Sequence, residues 1–118
     1  MGITADALQR IRDAVGDDDE IVADILQSFV DEVDGLLDRL AAAAETGDAV
    51  TLRRIAHTLK SSCRDLGDHV AADLCAALEH AARNGEIADA GGKSASIAHA
   101  GRSLKSEVVA YITSLAQR

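Results

Sequence analysis

Apolar residues recur along this chain every three or four positions, the interval that returns a side chain to the same face of a helix. The clearest run is Val22, Ile25, Leu26, Phe29, Val33, Leu36, Leu37, Leu40 and Ala44, which predicts one long amphipathic helix ending near Thr46-Gly47. Before it, Thr4 is placed to cap a short helix carrying Leu8, Ile11 and Val15 and stopping at Gly16. Asp48 caps a third helix reaching about Leu66, where Gly67 breaks it. A fourth spans about Val70 to Asn84, with Ala71, Leu74, Cys75, Leu78 and Ala82 on one face. Residues 85 to 93, ending in AGGK, read as loop. The last helix, from about Ser94, carries a seven-residue repeat of Ile97, Gly101, Leu104, Val108, Tyr111 and Leu115.

Short connections between long amphipathic helices make neighbours antiparallel. The expected fold is therefore all-α: an antiparallel up-down four-helix bundle with the short N-terminal helix packed on one end. No internal repeat or second domain is visible, so residues 1–118 are expected to form a single domain. The absence of proline and the scarcity of aromatic residues agree with a helical chain. Gly101 in the final seam allows close helix approach, within the bundle or between two chains.

A net charge of −8 argues against nucleic acid as a partner and against an anionic membrane surface. No secretory signal or membrane-length apolar run is present, and the expected location is the cytoplasm. Cys63 and Cys75 fall at apolar helical positions and read as small buried hydrophobes, not as a metal site. The acidic run DDDE, residues 17–20, suits the positive end of a helix better than a cation site. No metal site is expected.

The candidate chemistry lies in the third helix. With His57 set at zero on a helical wheel, Leu52, Ile55, Ala56, Leu59, Cys63 and Leu66 fall roughly 100° to 180° away. The imidazole therefore stands on the outer face. Arg53, Arg54, Lys60, Ser61 and Arg64 lie within about 60° of it, and no acidic residue shares that sector within a turn. In an acidic protein, one basic patch surrounds one histidine.

That arrangement suits phosphoryl transfer. A neutral imidazole offers a ring nitrogen as nucleophile, flanking cations favour the neutral form, and Lys60 with an arginine is placed to stabilise phosphoryl oxygens. Ser61, one turn on, leaves room for an incoming site. The chain has no Gly-rich phosphate loop, Walker lysine or carboxylate cluster set up for Mg²⁺, so the metal and the machinery must come from a partner.

The stretches HTLKSSCRDLG at 57–67 and VAADLCAALEHAAR at 70–83 resemble the histidine-containing phosphotransfer (HPt) domain family. Its patterns read roughly H-x-L-K-G-S-S/A-x-x-L-G and L-A-x-L-C-x-x-L-E-x-x-A-R. The segment from Leu26 to His57 is similar to the family's preceding helix and its Gly-Asp entry, so the match covers about residues 20–84. The resemblance implies that His57 accepts a phosphoryl group from a receiver-domain aspartate, on Nε2, and passes it to another receiver in a bacterial-type multistep phosphorelay.

On the same ground, Lys60 corresponds to the family's lysine near the phosphoryl site. Ser61 stands where glycine is usual and adds a hydroxyl that supplies a hydrogen bond or narrows the set of receivers. Asp68 stands where a small residue is common, which puts that end of the docking surface in question. Arg53, Arg54 and Arg64 are the candidate docking residues, with Gln27 and Asp31 of the second helix as weaker ones.

Response-regulator receiver domains and a hybrid histidine kinase are the expected partners, and a monomer without cofactor of its own is the expected state. A receiver's acidic active site complements the basic patch. Two rivals differ in class. A non-phosphorylated adaptor binding receivers or kinases is opposed by His57 and Lys60. A small helical enzyme with His57 as general base lacks a pocket and a partner carboxylate or nucleophile.

Overall fold

The computed structural model describes residues 2–118. Five helices follow in order: α1 (Ala5–Ala14), α2 (Asp19–Thr46), α3 (Ala49–Asp65), α4 (His69–Arg83) and α5 (Ala90–Ala116). The α3/α4 and α2/α5 interfaces are the most extensive, and α2/α3 and α4/α5 close the ring into a rod of 47 × 20 × 19 Å. The core shows the antiparallel order directly. One half joins Val33, Leu37 and Leu40 late in α2 to Leu52 and Leu59 of α3, Leu78 and Ala82 late in α4, and Ile97 early in α5. The other joins Val22 and Leu26 to Cys63, Leu66, Ala71, Leu104 and Val108. Ile3, Leu8, Ile11 and Val15 pack onto this second half, so α1 covers one end of the bundle.

Each α2–α4 start uses the aspartate before it. Asp18, Asp48 and Asp68 accept backbone N–H bonds from the first turns of α2, α3 and α4. Asp17 and Asp19 of the acidic run instead hold the guanidinium of Arg12, at 2.6 and 2.9 Å. Arg12 Nε also donates to the Tyr111 hydroxyl at 3.1 Å, fastening α1 to α5. Both cysteines are buried.

Two details differ from expectation, and a third position becomes clear. Ile25 is 44% exposed, because it lies about 80° off the seam set by Val22, Leu26 and Val33, on the rim of a groove between α1, α2 and the end of α3. The last helix begins at Ala90, so AGGK is helical. The glycines' conformational cost in a helix is offset by the burial of Ala90 and Ser94, which pins the turn. Asp68, whose departure from the family pattern left that end of the surface in question, is turned inward: it is 2% exposed and its carboxylate accepts from Ala71 N at 3.0 Å as the cap of α4. Gly101 serves the inside of the bundle, where an added Cβ would lie 3.2 Å from Leu37 Cδ1. No helix is long and apolar enough to cross a membrane among the described residues.

Candidate functional site

His57 sits midway along α3, held from behind by Ile55, Ala56 and Leu59, whose burial leaves its own side chain 61% exposed. The ring does not swing freely. Its Nδ1 lies 2.8 Å from Oε2 of Glu79, on α4. Glu79 is the opposite of a surface acid, with only 6% of its side chain exposed. Three groups converge on it: the His57 ring, the Lys60 ammonium on Oε1 at 2.5 Å and Arg83 Nη2 on Oε2 at 3.1 Å. Paired in this way, foremost by the Lys60 bond, the Glu79 carboxyl is held below the ordinary range for a glutamic acid despite its burial.

An ionised carboxylate only accepts hydrogen bonds. The proton of the neutral ring must therefore sit on Nδ1, and the lone pair is left on Nε2, on the side away from Glu79. Glu79 corrects the view of a sector free of acid. The wheel compares residues of one helix, and this carboxylate arrives from the next one.

Arg53, Arg54 and Arg83 line a shallow cleft with His57, Thr58 and Glu79. Arg64, two turns on from His57, does not line that cleft and borders instead the groove of Ile11, Ile25, Leu26 and Phe29. The three arginines expected around His57 thus divide between two adjoining features. Ser61 is exposed one turn from His57. Lys60 is only 18% exposed along its side chain and is committed to Glu79. His69 opens α4 and is exposed, as are His80 and His99. Gln27 and Asp31 bond to each other on the exposed face of α2.

Glu79 and Arg83 were not singled out from sequence. The signal was available within LCAALEHAAR: Glu79 falls only about 40° from Cys75 and 60° from Ala82 on the wheel of α4, an acid set into an apolar face. Arg83, four residues on, is its partner on the next turn.

Known proteins are similar to this chain in sequence and in fold. The sensor protein TorS of Escherichia coli K12 is 50% identical over 44 residues, 37% of this chain and 5% of TorS, so this chain matches a small part of that relative's length. The crystal structure of histidine-containing phosphotransfer protein B (HptB) from Pseudomonas aeruginosa PAO1 superposes with a TM-score of 0.85, covering 94% of each chain at 23% identity, which establishes a common fold. The Hpt domain model matches residues 24–117, from early α2 to the C-terminus, with His57, Lys60 and Glu79 inside it. The chain therefore belongs to the Hpt domain family.

Proposed function

We propose that His57 is the residue of this chain that carries the phosphoryl group, on Nε2, between the aspartates of two receiver domains. The observation that carries this reading is the exposed ring whose Nδ1 is tied to a buried carboxylate. One nitrogen is fixed as a donor and the other faces solvent with its lone pair. In loading, Nε2 attacks the phosphorus of a receiver's aspartyl phosphate, the N–P bond forms, and the acyl O–P electrons return to the receiver carboxylate. Transfer onward is the reverse of this with a second receiver.

Arg83, Arg53 and Arg54 border the space into which the phosphoryl group would project, and they supply charge for its oxygens. Lys60 contributes through Glu79, and its remaining N–H donors extend to the phosphoryl oxygens. The Ser61 hydroxyl stands one turn along as a further ligand or a filter on receivers. Docking uses Arg53 and Arg54 on one side, and Arg64 with the Ile25–Phe29 groove on the other. The incoming receiver brings Mg²⁺, and the chain acts as one monomeric cytoplasmic domain without kinase or phosphatase chemistry of its own. Receivers and a hybrid histidine kinase are its partners.

Incubation with a phosphorylated receiver and Mg²⁺ tests this. Acid-labile, base-stable label is expected on the wild type and none on His57→Gln. Label that survives in the variant would overturn the assignment, and binding without label across a broad receiver panel would favour the adaptor.

A further inference from the structure

The bond between Glu79 and Nδ1 has a chemical consequence for the loaded carrier. When Nε2 takes a phosphoryl group, the ring that keeps its Nδ1 proton becomes an imidazolium. A phosphohistidine in water is free to lose that proton near neutral pH, because the ordinary histidine range lies around 6.5. Once it is lost, a departing ring would leave as an imidazolide anion, a far poorer leaving group than neutral imidazole.

We propose that Glu79 holds the Nδ1 proton in place throughout the cycle, so that phosphorylated His57 stays in the protonated form able to give its phosphoryl group away. The inference rests on His57 being the phosphoryl carrier. In loading, the ring gains a positive charge as the N–P bond forms, and the carboxylate 2.8 Å from Nδ1 offsets it. In unloading, an acceptor carboxylate oxygen attacks phosphorus, the N–P electrons return to Nε2, and the ring departs neutral with its Nδ1–H intact. No proton enters or leaves in either direction, so the two transfers are symmetric. Glu79 is a positioning residue here: it touches the ring and not the phosphoryl group.

The surroundings support an ionised Glu79 at every stage. From α3 it is faced by Lys60, with Arg53 and Arg54 along the same cleft, and from α4 by Arg83. No second carboxylate lines that cleft, and no residue of α2 or α5 does. Burial keeps water from replacing Glu79 as the proton's partner. The same activation exposes the N–P bond to hydrolysis, so a carrier built this way is quick and short-lived.

The test compares wild type with Glu79→Gln, both loaded from one phosphorylated receiver and separated from it. Transfer to a fresh receiver is then followed from about pH 6 to 9, a range that brackets the ordinary histidine value. The ratio of the two rates is read, so that the receiver's own pH dependence cancels. Near pH 6 the two are expected to differ little. By pH 9 the variant should be slower by about tenfold or more, the loss expected once the unaided Nδ1 proton titrates away. Its phosphohistidine should also outlive the wild type's at the alkaline end.

¹⁵N NMR of loaded wild type gives a second readout that does not depend on the variant folding. Nδ1 should remain protonated well above the ordinary histidine range. Parallel rate profiles, or loss of the Nδ1 proton near pH 7 in the wild type, would overturn the inference while leaving His57 as carrier. Absence of label from wild-type His57 would overturn both.

Discussion

A carboxylate with 6% of its side chain exposed is costly in isolation, and Glu79 is retained because three donors meet it. This has a consequence for stability. The Glu79 carboxyl is held below its ordinary range in the folded chain, chiefly by the Lys60 bond, so the unfolded chain takes up a proton first as the pH falls. Its contribution is fully present above about pH 4.3, the unfolded value, and is lost as pH drops from there through the lower folded value. Denaturation midpoints measured against pH should therefore show wild type losing its margin over Glu79→Gln below about pH 4. A margin that holds constant down to pH 3 would mean that the three contacts do not favour the charged form. At this scale His57 and the basic residues of α3 were legible, because one helical wheel contains them all. Glu79 was not, since its meeting with His57 depends on how α4 packs on α3. The buried-face position of an acid in LCAALEHAAR was the available clue.

The α3–α4 turn fixes how these two helices meet. Gly67 adopts φ +82°, and a Cβ there would fall 2.0 Å from Thr4 Oγ1, so glycine is required both by conformation and by the close N-terminal segment. Thr4 N donates to Leu66 O at 3.1 Å, which joins α1's cap to the same turn. Asp68 follows as the cap of α4. Asp68→Ala is expected to lower stability by about 1–2 kcal/mol in chemical denaturation, while label still reaches His57. A loss of labelling in a folded variant would show that Asp68 acts in transfer and not only as a cap.

Most element boundaries were readable from caps and glycines: Thr4, Asp48, Gly47 and Gly67 all act where expected. The part Asp68 plays was not legible, because its capping bond is invisible to a family pattern. The start of α5 was missed because paired glycines in AGGK signal a loop by propensity, and burial of Ala90 outweighs that signal.

Across the whole molecule, a net charge of −8 coexists with a local excess of cations at the one exposed histidine of α3. Charge of that kind governs encounter more than final affinity. Replacing Arg53 and Arg54 together by glutamate should slow loading from a phosphorylated receiver by about tenfold at low salt and flatten its salt dependence. Unchanged rates would place docking on the Arg64 side, along the apolar groove. The bundle itself follows from the periodicity of α2 and α5, whose seams are buried almost as read, with Ile25 left on the groove's rim. The groove was not legible, because it forms only where α1 covers the end of the bundle.

The central claim is that one nitrogen of one residue carries the phosphoryl group. It is tested most directly by loading the chain from a phosphorylated receiver and locating the modification by tandem mass spectrometry under neutral conditions that preserve phosphohistidine. The account predicts a single phosphoryl group on His57, with His69, His80 and His99 unmodified. A phosphoryl group on any of those three, or on none of the four, would contradict it.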